Sequence, residues 1–419
     1  MTGVSIPVHS ANRSPGRTRT IDALRSLDAK LAALAVFLSP MNYFRLDQVY
    51  LTLADLAACA TLFVMLLRGR LPRAPFGIVT SLWLAGVLAL AAGLTFGSII
   101  NGDMSSLMVI LSQYVFTLVV LVYILAGRPY PETVALMKVL VLSITVIMVF
   151  GAYVVHFVPN PDPRFVSGSG RLRSLVERTN EAAALGAIGI VMVLNLALLR
   201  EIRGSIASFC LPVLLYGITL TGSNTGLILT TFGILVTVVF SGSAKFLFGA
   251  AAAVAAVVVT TICAGDIILP DVFRERVLNA LTSGDVNQAG TFEDRYYLIR
   301  EALHVARDTL VVGLGADQYR TVSAHSTPVH NSYLLLLTEG GLLALIGLLL
   351  LLLTGVSVAW LAVFTANART QGLIALTITL IYAFTLNTFT HFYARFWAVP
   401  LILALALAAA SLDKRQRSR

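Results

Sequence analysis

Apolar runs long enough to cross a bilayer recur from residue 31 to residue 411, separated for the most part by short polar turns. In a membrane each backbone N–H and C=O must find its partner within its own segment, so such runs are helices. Only 12% of the residues are charged against 57% hydrophobic, a balance that soluble domains of this size do not carry. Twelve spans can be placed, at about 31–44, 50–67, 76–96, 106–126, 133–157, 181–199, 206–221, 224–241, 246–264, 332–363, 371–389 and 395–411. The first is short and broken by Pro40, and the tenth is longer than a bilayer needs, which predicts a half-helix at its start. The expected fold is an all-α polytopic membrane protein of about twelve transmembrane helices.

Basic residues orient it. Arg68, Arg70, Arg73, Arg200, Arg203, Lys245 and Arg369 flank alternate turns, and the C-terminal Lys414-Arg415-Gln416-Arg417-Ser418-Arg419 joins the same side as the Arg-rich N-terminus. The positive-inside bias makes this side cytoplasmic. Turns such as Asn101-Gly102-Asp103 and Thr221-Gly222-Ser223-Asn224 hold no basic residue and fall outside. Residues 1–30 lack the apolar core of a signal peptide and read as a disordered cytoplasmic tail. Spans one to nine then occupy 31–264, an outer loop 265–330, spans ten to twelve 331–411, and a basic tail 412–419. Cys59, Cys210 and Cys263 lie inside apolar runs without ligand spacing, so neither disulfide framework nor zinc site is expected. The net charge of +9 is scattered over loops on both sides and does not indicate nucleic acid.

Two outer segments are more than turns. The segment 158–180 carries Arg164, Arg171, Arg173 and Arg178. The segment 265–330 is too long to be structureless and should hold helices of its own. Thr291-x-x-Asp294 resembles a capping box, and Phe292, Tyr296, Ile299, Leu303 and Ala306 follow at helical spacing, with Arg300, His304 and Arg307 opposite. This predicts a surface helix with that apolar stripe facing down, ended by the turn Val312-Gly313-Leu314-Gly315-Ala316. Counting Arg45, Arg274, Arg276, Arg295 and Arg320, eleven arginines gather on the side where short loops avoid them, with Arg395 near the last outer turn. Any one of them can simply pair with a loop acid or a lipid headgroup. As a set they point to an anion, because a guanidinium fork matches phosphate oxygens and stays charged beside a low-dielectric surface.

His330 sits at the end of that loop. With Thr327 as N-cap and Pro328 at the first helical position, it should lie in the first turn of the tenth span, where the helix dipole disfavours imidazolium. A neutral imidazole can accept a proton; alternatively the ring only hydrogen-bonds the loop. His325 and His304 are weaker candidates. Glu339, nine residues further in, is followed by Gly340-Gly341, and either a functional intramembrane acid or a carboxylate serving a helix break fits. Asn180 is read as a helix cap, and Asp55 and His391 as helix–helix hydrogen-bonding groups.

Taken in order, Arg295-Tyr296-Tyr297-Leu298-Ile299-Arg300-Glu301-Ala302-Leu303, Gly313-Leu314-Gly315, His330-Asn331-Ser332-Tyr333-Leu334 and Glu339-Gly340-Gly341-Leu342 resemble the loop signature of the O-antigen ligase and polysaccharide polymerase superfamily. The stretch from Arg171 to Asn180 resembles the family's earlier outer loop. The resemblance implies a metal-independent, cofactor-free glycosyltransferase of the bacterial inner membrane, working at the periplasmic face. Its donor would be a polyprenyl-diphosphate-linked glycan and its acceptor a glycan or lipid A core, with membrane lipid around both. The residues assigned on this basis are His330 and Arg295 for catalysis, and Arg171, Arg173, Arg178, Arg300, Asn331 and Asn224 for substrate binding. One departure stands out: Asn224 occupies the place where many members carry an arginine, which leaves Arg173 or Arg178 to take its part. A secondary transporter or glycan flippase is the competing class, but no internal repeat supports it.

Overall fold

In a computed structural model, the protein is described over residues 24–46, 51–244, 246–249, 251–252, 269–278 and 292–416. Among the described residues, twelve long helices are set out: α1 Leu27–Leu38, α2 Leu53–Leu67, α3 Thr80–Ile100, α4 Met104–Leu125, α5 Tyr130–Phe157, α6 Thr179–Leu198, α7 Gly204–Thr221, α8 Asn224–Phe240, α9 Phe292–Thr309, α10 Ser332–Val363, α11 Arg369–Thr385 and α12 Arg395–Gln416. Apart from these, a two-stranded antiparallel clip, Arg45–Leu46 with Leu51–Thr52, joins α1 to α2. Among the described residues, seven segments are long and apolar enough to cross a membrane: Gly77–Ile100, α4, α5, α6, α7, α10 and Arg395–Leu412 within α12. The chain is thus an all-α polytopic membrane protein. Most of the expected ninth span, Thr291 of the capping box and most of the N-terminal tail lie outside the described residues.

α3 and α10 pack backbone to backbone, as small residues in membrane helices allow. A Cβ at Gly93 would stand 2.6 Å from the carbonyl oxygen of Gly340, and one at Gly347 would stand 2.4 Å from the nitrogen of Leu90. Where α10 was expected to break, it does: Gly341 has φ 67° and ψ −168° in the middle of the helix. The kink leaves carbonyls without intrahelical donors, and the loop after α9 supplies them. Leu314 N donates to Thr338 O at 2.9 Å and Gly315 N to Glu339 O at 2.8 Å, while Leu342 N donates to Leu310 O at 2.8 Å. Gly313 is therefore pressed against the helix backbone, so close that a Cβ there would lie 2.1 Å from Glu339 O. The fully buried Glu339 side chain accepts from Tyr319 N at 3.3 Å. Of the two roles open to it, this is the structural one, and the Gly-Leu-Gly and Glu-Gly-Gly motifs form one latch.

At the opposite end of the bundle, Arg68, Arg70 and Arg128 converge on buried Asp28 at 3.1, 2.9 and 3.5 Å. Asp55, on α2, closes a capping box with Thr52 and takes Arg395 in a fork, at 2.7 and 3.1 Å. Gln113 of α4 accepts a third bond from the same guanidinium at 2.6 Å. Arg395 is thus committed to holding α2, α4 and α12 together.

Candidate active site

α9 lies across the end of the bundle, but rotated from the expected stripe. Leu298, Ala302 and Ala306 are buried, whereas Tyr296 is 57% exposed and Leu303 49% exposed. Bulk decides this. The alanines let α9 come close to α10, and Leu298 and Ala302 enter a small core with Tyr319, Val329 and Leu335. Arg295 stands one turn before Leu298 on the same face. The rotation therefore turns Arg295 inward and leaves Arg300 exposed, its guanidinium 5.8 Å from the centre of the Tyr296 ring.

His330 is fixed by its two neighbours. Val329 is fully buried in the core that includes Leu298, so His330 is tied to the helix that carries Arg295. Asn331 caps α10, accepting from Leu334 N at 3.1 Å, and reaches Asn387 at 3.4 Å. The helix starts at Ser332, so the cap is Asn331 rather than Thr327, and His330 precedes the helix instead of lying in its first turn. Ser332 donates from N to Leu386 O at 2.7 Å and from Oγ to Phe389 O at 2.8 Å. These bonds bring the turn after α11 against the imidazole.

The third wall is the segment between α5 and α6. It is stitched down by Leu172 N to Leu220 O at 2.9 Å and by the buried Ser174 Oγ to Ile147 O at 2.6 Å. Together these elements enclose a cleft of about 360 Å³, within the size range of small-ligand sites, lined by Arg173, Glu177, Arg178, Thr179, Asn180, Glu181, Arg295, His330, Thr388, Phe389 and Thr390. Four residues assigned from sequence meet there: Arg173, Arg178, Arg295 and His330. Four others do not line it. Arg171 lies behind the wall, bonded to Thr221 O at 2.8 Å and to Asn180 Oδ1 at 3.0 Å. Arg300 faces away, Asn331 is spent on capping, and Asn224 opens α8 outside the lining. His304 and His325 are exposed and also lie outside it.

Charge in the cleft is mostly positive. Glu181, a residue the sequence reading passed over as part of a span entry, faces Arg178 at 3.6 Å. Glu177 is turned to Arg45 at 2.9 Å and Asn42 at 3.2 Å, which anchors the wall to the clip after α1. Arg164 pairs with Asp162 at 3.4 Å, Arg274 with Asp271 at 3.5 Å, and Arg320 with Asp317, so much of the arginine set serves the loops themselves. His330 opens to the cleft, yet the atoms packed around it and the guanidiniums of Arg295 and Arg178 hold its pKa below the ordinary histidine value. Burial likewise pulls Arg295 down, against the attraction of Glu181. Glu301, next to Arg300 in the α9 motif, accepts from Ala324 N at 2.7 Å and from the hydroxyls of Ser323 and Tyr319 at 2.9 Å each. It clasps the loop that leads to His330.

Residues 209–349 match a family described as O-antigen ligase. No curated protein matches the chain. The matched region runs from α7 to the middle of α10 and contains Arg295, His330 and the whole glycine latch. Arg173, Arg178, Asn180, Glu181 and Thr388–Thr390 lie outside it in sequence, and the fold brings them to the same cleft.

Proposed function

We propose that the protein transfers a glycan from a polyprenyl diphosphate to an acceptor hydroxyl, with the cleft facing the periplasm and residues 265–330 acting as its catalytic loop. The carrying observation is that three arginines and a histidine whose pKa is held below its ordinary value, drawn from three separate segments, meet in one cleft at the end of a membrane bundle. Diphosphate is already a good leaving group, so cations that hold its growing charge matter more than a strong acid. In this reading Arg173, Arg178 and Arg295 bind the diphosphate. The acceptor oxygen forms a bond to the anomeric carbon as the bond from that carbon to the phosphate oxygen breaks. The hydroxyl proton passes to His330, and polyprenyl diphosphate leaves with the electron pair. General-base assistance of this kind contributes about 10²–10⁴-fold. Glu181 keeps Arg178 aimed into the cleft. Acceptors of two kinds suit the chemistry, a growing polysaccharide or a lipid A core.

Reconstitution tests it. Purified protein in vesicles, given a prenyl-diphosphate-linked glycan and an acceptor, should form product, and His330→Ala should abolish transfer while retaining prenyl diphosphate binding. Full transfer by that variant removes His330 as the base. Thiol labelling of cysteines placed at positions 295 and 330 should be blocked by impermeant reagent added from the periplasmic side; protection there overturns the orientation.

A further inference from the structure

Asn180 was expected to cap a helix, and it does not. α6 begins one residue earlier, at Thr179, and its capping position is Arg178, which makes no side-chain cap bond. The Asn180 carbonyl is used elsewhere: Oδ1 accepts from Arg171 Nη2 at 3.0 Å and from Ser223 Oγ at 3.0 Å. A guanidinium has only donors, so this contact settles which end of the amide is oxygen. Arg171 is itself held by the bond from its Nε to Thr221 O, in the turn between α7 and α8. It is kept there at a cost. Burial, with Arg276, Arg295 and Arg173 nearby, brings its pKa down to about 10. With Oδ1 doubly occupied, the two N–H groups of Asn180 remain, and among the described residues no hydrogen bond takes them up, although the residue lines the cleft beside Arg178 and Arg295.

We infer that Asn180 binds the substrate, donating from Nδ2 to a phosphate oxygen of the lipid diphosphate, and that Arg171 is the positioning residue that aims it. From sequence, Arg171 was given the anion and Asn180 a helix cap; in this inference the arginine orients, and the asparagine touches the anion. The inference rests on the reading of the cleft as a diphosphate site.

Asn180→Asp separates the possibilities. It keeps an oxygen for Arg171 and Ser223 and replaces the donor facing the cleft with an acceptor. Binding of farnesyl diphosphate and of farnesol to the purified, detergent-solubilised protein is the measurement. Asn180→Asp should weaken the diphosphate on the order of ten- to a hundredfold, the loss of a bond to a charged group plus repulsion, and leave farnesol unchanged. Asn180→Ala should weaken it less, and Arg171→Lys should resemble Asn180→Ala. Wild-type diphosphate affinity in Asn180→Asp overturns the inference, as does an equal loss of farnesol, which marks a structural role. If Asn180→Asp does not fold, Asn180→Ala carries the same comparison. A wild-type protein that binds both ligands alike, with no effect of Arg295→Ala, overturns the diphosphate reading itself, and the inference with it.

Discussion

Gly313→Ala strikes the joint between loop and membrane helix. The added Cβ would stand 2.1 Å from Glu339 O, 2.2 Å from Glu339 C and 2.5 Å from Gly340 N, all backbone, so no side chain can swing aside. To reach ordinary contact the loop must retreat by about 1 Å. At that displacement the bonds Leu314 N to Thr338 O and Gly315 N to Glu339 O, now 2.9 and 2.8 Å, are lost or badly stretched. Two backbone hydrogen bonds at about 0.5–1.5 kcal/mol each, with about 1–3 kcal/mol of overpacking, total roughly 2–6 kcal/mol. The same loop connects Arg295 on α9 to His330, and a shift of that size between reacting groups costs about 10² in rate. Thermal or denaturant unfolding in detergent, together with the vesicle transfer assay, reads both effects. Gly204→Ala is the control, since a Cβ there meets nothing within 4 Å and the residue lies at the opposite end of the bundle. A Gly313→Ala protein as stable and as active as Gly204→Ala would refute the latch.

The remaining predictions concern charge. If His330 is the base proposed above, then because its pKa is held below 6.5, kcat/KM should fall only as pH drops through that lowered value. Arg295→Gln should move this acid limb upward by removing a positive neighbour, and a wild-type limb at or above 6.5 would contradict the assignment. Arg295→Lys should reduce transfer and diphosphate affinity, because a point charge does not reproduce a two-pronged donor; unchanged values for both would refute the role. Asp55→Ala should destabilise by about 3–5 kcal/mol, since it strands the guanidinium of Arg395, whose side chain is only 11% exposed. A loss under about 1 kcal/mol in unfolding would show that Gln113 alone suffices.

Hydropathy is a local property, and it declared the membrane bundle without any knowledge of packing, while Gly340-Gly341 marked the break in α10. Motif order likewise singled out Arg295 and His330, two residues that do share a cleft. What no local pattern could decide was rotation and partnership. The face α9 turns inward depends on how closely Ala302 and Ala306 approach another helix, and that choice separates Arg295 from Arg300. Whether Arg171 or Asn180 faces the cleft depends on Thr221 and Ser223, more than forty residues further along the chain. Sequence spacing carries the periodicity of a helix but not the identity of the surface it meets, and those surfaces decide which side chains turn to this cleft.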